Sequence, residues 1–493
     1  MWAIVLPLGC SPPDRPADVV LVSVDTLRAD HLSGYGYSRD TSPFLDRLAA
    51  DGVRFAHARA SAPWTLPSHV TMLSGWRSAR HMVVEDRVAI PPALTLLPEA
   101  FGRAGFATAG FVTALLVGRD FGFARGFDHF DEFGMTRRAS NVNFDVDAGR
   151  VVDAALAWLD TVPPDRPAFL FLHLYDAHTP YDPPPPHDAA FDRPHAPEDI
   201  AYHSYARHLR EPLTGEQMAH QVAQYDEAIR YVDGELARLH AAMADRGRRA
   251  TWAVTADHGE EFGERGGWGH AMTLYAEQLR VPLIVSGERV GEPRVVEAIV
   301  GLEDVAPTLA ALAGVPFPGA DGADALGELP ARGFLADTSR YDENRLSWLA
   351  DGWRLDLDLA RGRAALYDVA ADPRETRDLL PANLDRAAAM ERDAWRRVGT
   401  AWEAVAPVAL RADGVFVVDG VPAAGAVDLP AGARFHVLPF DAEVDGRWTA
   451  VGVATPGPGD PVRVTRDVIG AVAELSPDER ARLEALGYLQ EKK

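Results

Sequence analysis

Three short apolar runs, each closing on an acidic or histidine residue, constrain what this chain can fold into more than anything else in it. Val19-Val20-Leu21-Val22-Ser23-Val24 ends at Asp25, Phe169-Leu170-Phe171-Leu172-His173-Leu174 ends near Asp176 and His178, and Thr251-Trp252-Ala253-Val254-Thr255 ends at Asp257-His258. Near-continuous apolar runs of this length read as strands buried on both faces, which requires a parallel sheet covered by helices. In open sheets of that kind ligands sit at the carboxyl ends of the strands, so three runs delivering carboxylates and imidazoles to one end are what a metal site needs. Helical patterns lie between the runs. Thr41-Ser42-Pro43 offers a cap and a first-turn proline ahead of Phe44, Leu45, Leu48 and Ala49, with Gly52 as the stop, and Val151 to Leu159 and Met218 to Met243 repeat the spacing.

The expected organisation is an α/β domain over 18–335, a smaller antiparallel subdomain over 336–400, a β-rich segment over 405–472 and a C-terminal helix over 475–493. The β-rich segment is read from runs such as Gly414 to Val418 and Ala433 to Leu438, the helix from Ser476-Pro477-Asp478-Glu479. The Pro-rich stretch Pro180 to Pro197 reads as a surface loop. With 493 residues, 47% of them hydrophobic, the chain can bury cores of this size. The single cysteine, Cys10, follows the apolar run Trp2 to Leu8 and precedes Ser11-Pro12-Pro13, so residues 1–17 are expected to be a lipoprotein signal and tether, with Cys10 lipidated. That predicts an exported cell-envelope lipoprotein touching the membrane through a lipid anchor only.

A formal charge of −23, with both lysines at positions 492 and 493, argues against a nucleic-acid partner, because phosphate backbones are held by clustered cations. It also means that any anion-binding task here falls to arginine, histidine, a metal ion or backbone N–H groups.

The chemistry-bearing residues follow one another in a specific order. Asp25-Thr26 comes first, then Ala62-Pro63-Trp64-Thr65-Leu66-Pro67-Ser68-His69 running on to Ser74-Gly75. Asp176-Ala177-His178-Thr179-Pro180-Tyr181, Asp257-His258-Gly259-Glu260 and Gly269-His270 ahead of Leu274 to Pro282 come next, and Leu366 to Thr376 closes the series. From Asp18 to Leu380 this succession resembles the sulfatase family of the alkaline phosphatase superfamily. The resemblance implies an alkaline-phosphatase-like fold and a divalent metal ion held by Asp25, Asp257, His258 and Thr65, with catalytic roles for Thr65, His69, His178 and His270. A second metal through Asp176, His178 and His270 is an open option, and an imidazole among carboxylates shifts preference from calcium towards zinc or manganese.

The departures from the family pattern bear on the reaction. Thr65 stands where those enzymes carry the Cys or Ser that becomes formylglycine, Thr26 where a second Asp is usual, and His69 where the motif has Arg. Ala109-Gly110 and His270 fall where the family has lysines. A threonine supplies no aldehyde hydrate, yet its hydroxyl can attack phosphorus directly, and at a helix N-terminus the dipole and free N–H groups favour an anion. The expected activity is therefore metal-dependent hydrolysis of a phosphate monoester, phosphodiester or phosphonate ester. The substrate would be a small anionic ester, free or carried on an envelope glycan or lipid. A sulfuric ester hydrolase, a transferase of phosphorylated head groups onto an envelope acceptor, and a non-catalytic anionic-glycan-binding protein are the alternatives.

Overall fold

The computed structural model describes residues 16–464, apart from stretches of which the longest are 134–145, 194–207 and 451–461. Cys10 and the C-terminal helix expected from Ser476 lie outside the described residues. The principal elements in chain order are β1 (Asp18–Val24), α1 (Pro43–Ala50), β2 (Val53–Arg59), α2 (Thr65–Ser74), β3 (Ala107–Phe111), β4 (His129–Asp131), β5 (Ala168–Leu174) and β6 (Ala250–Thr255). A short hairpin of β7 (Glu261–Phe262) and β8 (Trp268–Gly269) leads to β9 (Leu283–Ser286) and β10 (Arg294–Gly301). Eight of these strands make one sheet in the order β10-β2-β9-β6-β1-β5-β3-β4. Neighbours are parallel except β9, which runs antiparallel to both β2 and β6.

The three apolar runs are the three central strands. β1 and β5 are buried at every position, as two-sided coverage demands. Helices pack on the faces, among them Ala148–Leu159, whose N-cap Asp147 accepts from the Arg150 N–H, and the 31-residue Gly215–Asp245, opened by a Thr214/Gln217 capping box. Register fixes what meets at the carboxyl edge: Ser23 of β1 lies opposite His173 of β5 on one side and Thr255 of β6 on the other. The Asp25 N–H continues this ladder, donating to the Leu174 carbonyl at 2.8 Å.

α2 is buried along all ten of its residues. It ends at Gly75, whose φ of +72° is the left-handed cap that a glycine adopts without a Cβ penalty. Thr65 is the first residue inside this helix, at its N-terminus as expected, and Trp64, in extended conformation, holds the cap position.

A separate antiparallel sheet follows, made of β11 (Phe334–Thr338), β12 (Arg345–Ala350), β13 (Trp353–Asp358) and β14 (Arg363–Asp368) in sequential order. The amphipathic helix Leu384–Val398 buries Ala387, Met390, Ala394, Trp395 and Val398 in the same apolar cluster as this sheet. A buried ion pair ties the sheet to the loop beyond His270: Arg354 Nε donates to Glu375 Oε1 at 2.6 Å, and Glu375 Oε2 accepts from the Ala276 N–H at 3.1 Å. Beyond it, strands between Trp402 and Val464 form a seven-stranded sheet. Among the described residues no helix is long and apolar enough to cross a membrane.

Candidate metal and nucleophile site

Asp25, Asp257 and His258 converge where β1 and β6 end, and one atom from each lies within 4.8 Å of the others. All three are fully buried. Each is held by one atom and left open at the other. Asp257 Oδ1 accepts from the N–H groups of Thr26 (3.2 Å) and His258 (2.9 Å), and His258 Nδ1–H donates to the Gly259 carbonyl at 2.9 Å, so the lone pair sits on Nε2. Asp25 Oδ2 faces His173 Nε2 at 3.2 Å. The remaining atoms, Asp25 Oδ1, Asp257 Oδ2 and His258 Nε2, have no hydrogen-bond partner among the described residues.

Orphaned buried acceptors are costly, and three that face one another fit a divalent cation. Electrostatics agrees. Burial, with Glu260 adding to it, pushes Asp25 up to about 7, and burial together with the Asp25 charge raises Asp257 well above the carboxylate range. Two carboxylates this poorly solvated favour a positive ion between them, while burial keeps the His258 imidazole neutral and able to ligate. The turn that carries Asp25 is itself unusual: Thr26 is a β-branched residue at φ +58°, held there by its N–H on Asp257 and by its hydroxyl on the Ala177 carbonyl at 2.6 Å.

The first turn of α2 abuts the same cluster. His69 Nδ1–H donates to the Thr65 carbonyl at 2.8 Å and stands 3.6 Å from Asp257 Oδ2, and the Pro63 carbonyl accepts from the Ala271 N–H, next to His270, at 2.9 Å. Thr65 thus heads a helix whose N-terminus opens beside the metal donors and the His270 segment. His270 lies 4.4 Å from His258 and 5.0 Å from His178, ring to ring. Its Nδ1–H donates to Glu260 Oε1 at 2.8 Å, which leaves Nε2 outside that bond. Glu260 Oε2 in turn accepts from the Tyr181 hydroxyl at 2.7 Å. Burial alone would push Glu260 up, but the His270 hydrogen bond and charge outweigh it and hold the carboxylate below its usual range.

Three of the residues singled out in the sequence have contacts of their own. His69 is fully buried, donates to Thr65 through Nδ1 and takes the Ser23 hydroxyl at 3.0 Å through Nε2, so it braces α2 and has no nitrogen left for a leaving group. His178 likewise engages both nitrogens, on the Thr179 carbonyl (2.7 Å) and the Tyr175 hydroxyl (3.1 Å). Asp176 does not join His178 and His270 as a second metal set: its Oδ1 accepts the Ala148 N–H at 2.9 Å, at the start of the helix Ala148–Leu159. Conversely, His173 and Glu260 belong to the site although the sequence reading gave them no role. An imidazole inside an otherwise apolar strand and a carboxylate two residues beyond His258 were the available signals.

This fold and donor set define an ester-hydrolysing enzyme of the alkaline phosphatase superfamily, whose sulfatase members use metal ions. Residues 17–315 match the family described as Sulfatase, more than half of the chain, and the protein belongs to that family. It is similar to the sulfatase YidJ of Escherichia coli strain K12, 24% identical over 419 residues that cover 74% of this chain and 83% of that protein. It is also similar to an arylsulfatase of Clostridium perfringens, 21% identical over 445 residues covering 74% and 90%. The phosphonate monoester hydrolase of Agrobacterium radiobacter shares the fold with a TM-score of 0.61 at 19% identity, over 78% of this chain and 95% of that one.

Proposed function

We propose that the protein hydrolyses phosphate monoesters, phosphodiesters or phosphonate esters through Thr65 as nucleophile. The observation that carries this reading is a threonine, and no formylglycine precursor, at the head of the buried helix beside three unpartnered metal donors. Asp25, Asp257, His258 and Thr65 would hold a divalent ion, which when bound would supply Lewis-acid stabilisation of the anionic transition state and lower the cost of ionising Thr65. Thr65 Oγ1 attacks phosphorus in line, the bond to the leaving oxygen breaks, and His270, protonated at Nε2 and steadied by Glu260, gives its proton to the departing alkoxide. Water then attacks the phosphothreonine, returns a proton to His270 and releases Thr65. The N–H groups at the start of α2 stabilise charge on the phosphoryl oxygens during both steps.

The likeness to a phosphonate monoester hydrolase supports this reading. Sulfuric ester hydrolysis is the second reading, favoured by the sulfatase relatives, and requires release of a sulfated Thr65 without the aldehyde hydrate. Turnover of phosphonate, phosphate and sulfate esters of one leaving group, measured side by side with defined metals, tests the choice. Phosphoryl or phosphonyl esters are expected to react faster, with a phosphothreonine at Thr65 trapped by mass spectrometry. Faster sulfate-ester turnover by the unmodified protein, or full activity in Thr65→Ala, overturns it. Mass spectrometry of the native protein tests export as a lipoprotein: an unmodified Cys10 with residues 1–9 retained rejects it.

A further inference from the structure

A second set of donors lies behind the first. One ligand atom each of His69, His173 and Asp257 also falls within 4.8 Å of the others, and all three residues are buried. Hydrogen bonding separates the two sets. The first set leaves one atom of each member unpartnered, whereas both nitrogens of His69 are taken by Thr65 and Ser23, and His173 Nε2 is committed to Asp25 Oδ2 at 3.2 Å. Geometry of this kind belongs to a brace around a metal ion, not to a second ion.

We propose that His173 is a positioning residue, held by Thr113, that fixes Asp25 Oδ2 and thereby aims Asp25 Oδ1 at the cation. The inference rests on the reading of Asp25, Asp257 and His258 as metal ligands. His173 sits on β5 opposite Ser23, the second residue before Asp25, so parallel register delivers its ring to the carboxylate. Thr113, just beyond β3, holds the ring from the other side: its hydroxyl donates to the His173 carbonyl at 2.9 Å, and its N–H approaches His173 Nδ1 at 3.4 Å. With Nδ1 as acceptor, the ring hydrogen lies on Nε2, facing Asp25; a bare nitrogen there would meet the carboxylate lone pairs with repulsion. The ring is wholly buried, so no water can replace this hydrogen bond at low cost. Without it Asp25 keeps only its backbone contact with Thr26, and Oδ2 loses the donor that fixes its direction.

The test uses the full chain as His173→Leu, which removes the donor, and His173→Gln, whose amide can place an N–H near the position of Nε2. Mn²⁺ binding is measured by equilibrium dialysis and elemental analysis across a graded series of free Mn²⁺. Wild type is expected to bind one ion per chain, His173→Leu to bind one ion roughly 10–100-fold more weakly, and His173→Gln to recover most of the affinity. Saturating Mn²⁺ is expected to restore the kcat of His173→Leu to within several-fold of wild type. Unchanged Mn²⁺ affinity in His173→Leu, or a stoichiometry that falls from two ions to one, overturns the proposal. A wild type that binds no Mn²⁺ refutes the ligand assignment beneath it as well. Should His173→Leu fail to fold, Thr113→Val takes its place: weaker Mn²⁺ binding supports the proposal and unchanged binding overturns it.

Discussion

The strand β1 carries an aspartate near each end, and both are wholly buried. Asp18, at the amino end, meets Arg248 Nη1 at 3.0 and 3.2 Å and accepts the Ala168 N–H at 2.8 Å. Arg248 is anchored further by the Val162 carbonyl at 3.0 Å. Asp25, just past the carboxyl end, faces Asp257 and neutral imidazoles, and its Oδ1 meets no donor among the described residues. The same residue type at the two ends of one strand is an ion-pair partner where a fixed cation is built in and a candidate metal ligand where none is. Burial of a charge thus says little until its counter-charge is located.

Removing the two functional parts gives the largest expected effects. Thr65→Ala should lose on the order of 10³-fold or more in kcat while binding metal, whereas Asp257→Ala should lose both activity and bound ion by elemental analysis. Full metal content in Asp257→Ala would erase the contrast between the two ends of β1. At the other end Asp18→Asn leaves Arg248 buried without its counter-charge, which should cost about 3–5 kcal/mol in urea denaturation. Protein that remains folded should keep its kcat, since the amino edge of the sheet lies away from the site.

Asp337 offers an intermediate case, a buried carboxylate that accepts from the Ser78 hydroxyl, and burial pushes it up to about 6. A raised carboxyl pKa adds stability that is complete below the unfolded value near 3.8 and is lost as pH rises through about 6. Wild type should therefore lose up to about 3 kcal/mol relative to Asp337→Asn between pH 4 and pH 8. A pH-independent difference would mean that the Ser78 hydroxyl and the nearby Arg77 charge offset the effect of burial. The smallest effect sharpens the comparison by its sign: in metal-free protein at pH 8, Asp25→Asn relieves repulsion with Asp257 and should stabilise by ~1 kcal/mol. A divalent ion should then raise the Tm of wild type and leave that of Asp25→Asn unchanged. Destabilisation by Asp25→Asn without metal would make the two ends of β1 alike.

The central strands were legible because two-sided burial writes an apolar run into the sequence: the expected runs begin at Val19, Phe169 and Thr251, and the strands begin one residue earlier, at Asp18, Ala168 and Ala250. β9 was not legible, since the four residues Leu283 to Ser286 carry no mark of strand direction and its antiparallel course is set by the neighbours. Asp25, Asp257 and His258 could be read from strand ends, but the direction of their free atoms could not. His173 shows why: its contact with Asp25 spans 148 residues and exists only through the register of β5 on β1. Asp176 is the converse case, a carboxylate in the right segment whose Oδ1 turns to the first N–H of a helix, which no local pattern announces.

The complete burial of α2 has a consequence for motion. Beyond its first turn, its amide hydrogens should exchange with solvent only through openings that disrupt packing on the main sheet, so the proposed nucleophile heads a slowly exchanging helix. Thr65 therefore cannot swing towards a substrate; the substrate must be brought to it. Any opening and closing that accompanies turnover then falls to the loops around the helix.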